Sequence, residues 1–241
     1  MLHHVFGRRP GRRTLDVDFG IAVRDWQEFQ DLKTALTKKA GFAPAANALQ
    51  RLIYPSTPAV MVDLIPFGGI EGVDQSIAWP PDEDIVMKVA GFADALDSAL
   101  LVQLESDLTI RVVCLPALMV LKLFAWMDRK YENTKDAADI LTILREYGEA
   151  GNEDRLYGEH LNLMEAEGFD IERAGARLLG IDAARLTSVD TRTQLRRILE
   201  SNQTVDQLIN HILAASGRTD RQHVMHCEAL ARAFRDDFLS A

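Results

Sequence analysis

The fold is decided by the segment Thr14-Leu-Asp-Val-Asp-Phe-Gly-Ile-Ala-Val23. Apolar residues alternate along it with a period of two, which is typical of a β-strand with one buried face. One face carries the acidic pair Asp16 and Asp18, and the other carries the apolar side chains of Leu15, Val17, Phe19 and Ile21. This spacing puts the two acidic Cα atoms roughly 6–7 Å apart. Two carboxylates at that distance can converge on a hard cation such as Mg²⁺, which prefers oxygen ligands.

A third carboxylate comes from a second predicted strand. Asp63 interrupts the apolar run from Val60 to Phe67, and a charge inside a buried strand is costly unless it is paired or bound to a metal. Two metal ions held about 3.5–4 Å apart could clamp the attacking and leaving oxygens of a phosphoryl transfer. An Asp-x-Asp pair alone more often lies on a solvated strand face or in a turn. Followed by a helix and then by Asp63, the pair predicts a metal site.

The remaining pattern predicts an α/β fold of the α+β type, with a mixed sheet and flanking helices, followed by an all-helical region. An amphipathic helix is expected over residues 26–39, with Gly41 as its C-terminal stop. Short strands are expected at about 51–54, 60–67 and 108–114. Further helices are expected at about 117–130, 135–147, 153–166, 170–179, 187–200, 204–215 and 220–239. Because strand signals vanish after Gly148–Gly151, the predicted domains are 1–148 and 149–241.

The charge and composition of the chain bear on its partners and on its cellular location. The chain has 241 residues with a net charge of −9, and this charge argues against general attraction to a nucleic-acid backbone. No apolar run approaches the roughly 20 residues that a membrane span needs, and the N-terminus lacks the pattern of a secretory signal. The two cysteines, Cys114 and Cys227, have no metal-binding or redox spacing. These features predict a cytoplasmic protein without a membrane partner.

Three stretches, in the same order along the chain, resemble the AbiEii-type group of minimal nucleotidyltransferases in the DNA polymerase β-like superfamily. That group includes toxins of toxin–antitoxin systems. The segment from Arg12 to Val23 is similar to its first active-site strand, and Val62-Asp-Leu-Ile-Pro-Phe-Gly68 resembles the strand that carries a third carboxylate. A later helical signature is similar to Leu121-Lys-Leu-Phe-Ala-Trp-Met-Asp-Arg129 followed by Lys135-Asp-Ala-Ala-Asp139.

The resemblance implies transfer of a nucleoside monophosphate from an NTP to an acceptor, with release of pyrophosphate. Asp16 and Asp18 are then expected to hold Mg²⁺ or Mn²⁺, and Asp63 to bind one of the ions and help activate the acceptor hydroxyl. Lys122 is expected to contact the nucleotide phosphates, and Lys135 and Asp136 to lie near the nucleotide or the acceptor. Each has an alternative: Lys122 can be an ordinary exposed helix residue, and Asp136 can serve only the start of its helix.

The resemblance breaks at the N-terminus. This superfamily carries a Gly-Ser or Gly-Gly turn before the Asp-x-Asp strand, where backbone N–H groups cradle the triphosphate. No such turn lies among the 15 residues before Asp16. Either the chain is a truncated form or this family member has lost its phosphate cradle, and the missing helix would leave apolar surface that favours a homo-oligomer. Arg12 and Arg13, with Arg8 and Arg9, could compensate by contacting triphosphate or a nucleic-acid acceptor.

Three functional hypotheses therefore stand. The first is a metal-dependent nucleotidyltransferase whose acceptor is an RNA, a protein side chain or a small molecule. The second is a nucleotidyltransferase-fold protein with impaired catalysis that acts as a binding or regulatory module. The third is the toxin of a two-gene system. A metal site at His223, His226 and Cys227 is less favoured than an ordinary amphipathic helix, because no second pair of ligands with zinc-like spacing occurs.

Overall fold

The computed structural model describes Gly7, residues 16–46 and residues 48–241. The described residues form two compact units. The first, residues 16–96, is called the sheet unit, and the second, chiefly Asp97–Ala241, is called the helical unit. The predicted domain division at residue 148 stays a prediction, since contacts within a chain do not show which segments fold independently.

The sheet unit is built on a four-stranded mixed sheet in the order β1-β4-β3-β2. Strand β1 runs parallel to β4, and the other neighbours are antiparallel. A parallel pair needs a crossover connection, and the first helix lies in the connection between β1 and β4. The elements of this unit are β1 (Asp16–Val23), α1 (Trp26–Ala40), β2 (Ala43–Pro44), β3 (Arg51–Tyr54), β4 (Val60–Gly68), β5 (Ser76–Ala78), β6 (Val86–Lys88) and α2 (Phe92–Asp97).

Helix α1 begins and ends where its capping residues require. The Asp25 side chain accepts a hydrogen bond from the backbone N–H of Glu28 at 2.9 Å, which satisfies one of the free donors of the first turn. Gly41 ends the helix with φ +76°, a left-handed conformation that glycine adopts without strain. The sequence prediction of Gly41 as the stop is confirmed.

One face of the sheet packs on α1. Leu52 and Leu64 lie buried there against Phe29, which is fully buried in the same core. The ring of Phe29 also contacts Trp79, with a distance of 5.7 Å between ring centroids. Along β1, Ile21 and Val23 join this core, whereas Val17 and Phe19 at the other end remain 47% and 45% exposed. The predicted apolar face of β1 is therefore only half covered.

Between residues 98 and 241, all of which the structure describes, the helical unit contains one β-hairpin and eight helices. Its elements are β7 (Leu100–Glu105), β8 (Leu108–Val112), α3 (Leu115–Arg129), α4 (Lys135–Glu146), α5 (Glu153–Tyr157), α6 (Leu161–Ala166), α7 (Ile171–Leu186), α8 (Val189–Glu200), α9 (Asn202–Ser216) and α10 (Arg221–Ser240). The helix predicted over 153–166 is divided into α5 and α6 around Gly158. The helix predicted to end near residue 179 continues as α7 to Leu186.

The predicted fold class is confirmed: a mixed sheet with flanking helices precedes a helical C-terminal region. The sequence did not predict α2. Among the helices of the described residues, none is both long and apolar enough to cross a membrane.

Candidate active site

The alignment of β1 with β4 brings the three predicted carboxylates to one face of the sheet. Asp18 lies directly opposite Asp63 in the parallel register, and Asp16 lies opposite Met61. Paired residues of neighbouring strands point to the same side, and residues two apart on a strand share a face. Asp16, Asp18 and Asp63 therefore lie on the face opposite to the one that packs on α1. Asp63 is 7% exposed, whereas the side chain of Asp16 is 40% exposed.

Arg51 also lies on this carboxylate face, because it is the antiparallel partner of Asp63. Its Nε donates to Asp63 Oδ1 and its Nη2 to Asp63 Oδ2, both at 2.7 Å. The same Nη2 lies 3.6 Å from Asp16 Oδ2. Hydrogen bonding to Asp63 raises the pKa of Arg51 further, and so do the negative charges of Asp63, Asp16 and Asp18, against the opposing effect of burial. One guanidinium thus links the carboxylates of β1 and β4.

The carboxylate face fits a divalent cation by its donor chemistry. Asp16, Asp18 and Asp63 provide oxygen ligands only, the kind that Mg²⁺ and Mn²⁺ prefer. In the part of the chain that the structure describes, however, no three His, Cys, Asp or Glu side chains already converge closely enough to hold a metal ion. Both oxygens of Asp63 accept hydrogen bonds from Arg51. A cation shared by all three carboxylates would therefore require Arg51 to move.

Lys122 belongs to a second charged cluster, which lies within the helical unit between α3 and α4. Its Nζ lies 2.6 Å from Asp139 Oδ2 and 3.2 Å from Asp136 Oδ1. Asp136 is buried and uses its other oxygen to accept a hydrogen bond from Arg129 Nη2 at 2.8 Å. Burial alone would lower the pKa of Lys122, but the hydrogen bonds and charges of Asp139 and Asp136 outweigh it and raise the pKa above its ordinary value.

The other predicted nucleotide contacts are placed differently. Lys135 is exposed at the first position of α4, and its backbone N–H donates to Asn133 Oδ1 at 3.0 Å. Arg12 and Arg13 lie outside the described residues. Asp136 lies in the first turn of α4 and does more than begin this helix. It forms ion pairs with Lys122 and Arg129 of α3.

Arg51 is the residue of the carboxylate face that sequence reasoning missed. A signal for it was present in the two strands predicted at about 51–54 and 60–67, which are separated by a short turn with Pro55 and Pro58. Positions of an antiparallel hairpin pair symmetrically about the turn. If the turn is centred on residue 57, Asp63 pairs with position 51. That position carries an arginine, whose charge is opposite to that of Asp63.

His223 Nε2 lies 3.4 Å from Cys227 Sγ, but in the described part of the chain no group of three potential metal ligands includes these residues. The Nε2 of His226 lies 2.7 Å from Glu172 Oε2, and the Nε2 of His223 lies 3.0 Å from Ser216 Oγ. Cys227 is buried, and burial raises the pKa of its thiol. These contacts agree with the interpretation of α10 as an ordinary amphipathic helix.

Comparison with known protein families identifies the family of the chain. A family model described as nucleotidyl transferase AbiEii toxin, type IV TA system, matches residues 2–214. No curated protein and no solved structure matches the sequence. The matched range contains β1, β4, α3 and α4, which carry the carboxylate face and the Lys122 cluster. The chain belongs to the AbiEii nucleotidyl transferase toxin family of type IV toxin–antitoxin systems.

Proposed function

We propose that this protein transfers a nucleoside monophosphate from an NTP to a cellular acceptor, and that it does so as the toxin of a two-gene system. The observation that carries the proposal is the register of β1 and β4, which aligns Asp18 with Asp63 and keeps Asp16 on the same face. Membership of a nucleotidyltransferase family supports the reaction class. The free cysteines Cys114 and Cys227 suit a reducing cytoplasm.

In this proposal Asp16, Asp18 and Asp63 are the residues that hold Mg²⁺ or Mn²⁺. The bound ions would neutralise charge on the triphosphate and on the attacking and leaving oxygens. The acceptor hydroxyl oxygen forms a bond to the α-phosphorus, the bond between that phosphorus and the bridging oxygen to the β-phosphate breaks, and pyrophosphate leaves. Asp63 is the proposed residue that helps to activate the hydroxyl by taking its proton, once its oxygens are released from Arg51.

Residues outside the carboxylate face have proposed roles in nucleotide binding. Lys122 is proposed to contact phosphate, with Asp136 and Asp139 fixing the direction of its ammonium group. Lys135, Arg12 and Arg13 are proposed as further contacts to the nucleotide or the acceptor. For Lys135, its exposure at the start of α4 supports this role, whereas the two arginines rest on the sequence alone.

The acceptor class is open to direct assay. A net charge of −9 makes broad affinity for nucleic acid unfavourable, but a local cluster such as Arg8, Arg9, Arg12 and Arg13 can still bind an RNA end. We include a protein side chain and a small molecule as alternative acceptors. Incubation of the protein with each α-³²P-labelled NTP and a cell extract, followed by separate digestion with ribonuclease and protease, would identify which class carries the label.

The test of the metal site is the substitution Asp18→Asn, which keeps the size of the side chain and removes its charge. We expect label transfer to fall by at least about a hundredfold, as is usual when a group that stabilises transition-state charge is lost. The matched control is Asp74→Asn, an exposed aspartate of the same unit that pairs with Lys88. Equal label transfer by Asp18→Asn and wild type, with both folded by circular dichroism, would refute the proposed site.

A second candidate function is a nucleotide-binding or regulatory protein with impaired catalysis. The observation that favours it is Arg51, which already engages both oxygens of Asp63. NTP binding by calorimetry, without label transfer to any acceptor in the presence of Mg²⁺ or Mn²⁺, would support this alternative.

We also propose self-association, because among the described residues β1 is an edge strand of its sheet and exposes Val17 and Phe19. Apolar side chains on an unpaired edge favour contact with another chain. Sedimentation velocity of the wild type and of Phe19→Ser would show whether this surface is used.

A further inference from the structure

The guanidinium of Arg51 lies between carboxylates of β1 and β4, the two strands that carry the proposed metal ligands. This guanidinium binds Asp63 on β4 through two nitrogens and lies 3.6 Å from Asp16 on β1. We propose that Arg51 is a built-in counter-ion that competes with the divalent cation for Asp63. The inference rests on the proposed metal site at Asp16, Asp18 and Asp63.

The side chain of Arg51 extends from β3 and is held by contacts with residues of β4. Besides the two bonds to Asp63, its Nη1 contacts the thioether sulfur of Met61 at 3.7 Å. Two parallel N–H···O bonds between a guanidinium and a carboxylate form the strongest common pairing of these groups. Every nitrogen of this guanidinium therefore contacts a side chain of the same strand, and displacement of Arg51 breaks all these contacts together.

Both cations cannot share Asp63 without repulsion. A Mg²⁺ ion binds carboxylate oxygen at about 2.0–2.1 Å, whereas Arg51 Nη2 already lies 2.7 Å from Asp63 Oδ2. Two positive groups on one carboxylate repel each other strongly, the more so because Asp63 is buried. Arginine cannot lose its proton at any pH that the protein meets. Arg51 must therefore move away, because loss of its charge is excluded.

Asp16 differs from Asp63 in its contact with Arg51. Asp16 Oδ2 lies 3.6 Å from Arg51 Nη2, farther than either oxygen of Asp63 lies from its donor, and the Asp16 side chain is 40% exposed. A divalent cation can therefore meet Asp16 first, and it reaches Asp63 only by displacing the guanidinium. Arg51 thus weakens metal binding and, at the same time, neutralises a buried carboxylate that would otherwise lack a partner.

The experiment is a titration with Mn²⁺, without nucleotide, at fixed ionic strength. Free Mn²⁺ is followed by electron paramagnetic resonance for the wild type, Arg51→Gln, Arg51→Lys and Arg24→Gln. Arg24 is the matched control: it belongs to the same unit and its loss changes the net charge equally. It follows β1 at a position eight residues beyond Asp16, which corresponds to about 26 Å along the strand direction.

We expect Arg51→Gln to bind Mn²⁺ about tenfold more tightly than the wild type, and Arg24→Gln to bind it unchanged. Arg51→Lys should bind a few-fold more tightly, because an ammonium group cannot hold both carboxylate oxygens in the same way. If Arg51→Gln does not fold, the Arg51→Lys comparison decides the question. Mn²⁺ affinity that is equal or weaker in the folded variants would overturn the proposal.

A further variant separates failure of this inference from failure of the proposed function. If Asp18→Asn abolishes Mn²⁺ binding but Arg51→Gln does not strengthen it, the metal site stands and the competition is refuted. If Asp18→Asn leaves Mn²⁺ binding unchanged, the metal site itself is refuted, and the inference falls with it.

Discussion

At the scale of single residues, the ammonium group of Lys122 forms ion pairs with Asp136 and Asp139 in a largely buried position. Its side chain is 26% exposed, and that of Asp136 is more deeply buried. Removal of one partner from such a pair leaves the other charge without compensation. Since Arg129 still pairs with Asp136, we expect Lys122→Met to lower the free energy of unfolding by about 2 kcal/mol, below the range for a fully buried pair.

Urea denaturation at pH 7 measures this loss, and Lys88→Met is the matched control. Lys88 pairs with the exposed Asp74, and pairs at the surface contribute only about 0–1 kcal/mol. Equal losses in the two variants would contradict the prediction.

The raised pKa of Lys122 also sets the sign of a pH dependence. A lysine whose pKa is higher in the folded than in the unfolded protein contributes stability at pH below its unfolded value, about 10.4. That contribution is lost as the pH rises through the folded pKa. As the pH rises from 9 to values above about 10.4, the free energy of unfolding of the wild type should therefore fall more than that of Lys122→Met. A constant difference between the two curves would show that Lys122 has no such role.

The residues of the carboxylate face show what the sequence could and could not predict. Asp16 and Asp18 were predicted to share a face because a strand has a side-chain period of two. Their alignment with Asp63 depends on the register between β1 and β4, which no local pattern determines. Arg51 was missed because a charge at the start of a strand is ordinary, and only its partner across the hairpin gives it a meaning.

At the scale of elements, helix α7 makes close contacts through its glycines. A Cβ added to Gly175 would lie 2.7 Å from the Cα of Gly148, and one added to Gly180 would lie 2.9 Å from Phe238 N and closer still to the carbonyl oxygen of Phe234. Backbone atoms cannot rotate away as a side chain does. The α7–α10 packing therefore depends on the absence of a side chain at Gly180.

The substitution Gly180→Ala tests this packing by the sign of its effect. In an exposed helix, replacement of glycine by alanine stabilises by about 1 kcal/mol. Here we expect destabilisation by roughly 1–3 kcal/mol, because the added methyl group must push α10 away. Urea denaturation measures the change, and a stabilised Gly180→Ala protein would show that α10 can shift without loss.

The same glycine explains an error of the sequence prediction. The sequence predicted that helix α1 ends at Gly41, and the structure confirms that this glycine stops the helix with φ +76°. Gly180, in contrast, lies inside α7 and serves close packing with a neighbouring helix. A single sequence does not distinguish these two uses of glycine, and the predicted helix ended near residue 179, directly before Gly180.

At the scale of the whole molecule, the sheet unit and the helical unit each have buried apolar side chains of their own. Leu52 is fully buried in the core between the sheet and α1, and Leu178 is fully buried on α7. The change from strand to helix patterns predicted an α/β region before a helical one. It did not predict that α3 and α4 group with the later helices, because amphipathic helices carry no mark of the partner on which they pack.

We predict that two units with buried apolar side chains of their own unfold in two calorimetric transitions. We expect Leu52→Ala to lower one transition by roughly 10 °C and Leu178→Ala to lower the other by roughly 5–10 °C, as a buried leucine contributes about 2–5 kcal/mol. Addition of Mn²⁺ should raise only the transition that Leu52→Ala lowers, because Asp16, Asp18 and Asp63 all lie in the sheet unit. A single transition that both leucine variants lower equally would contradict this prediction, because the chain would then unfold as one cooperative body. Any rise caused by Mn²⁺ would in that case belong to the whole chain and not to the sheet unit.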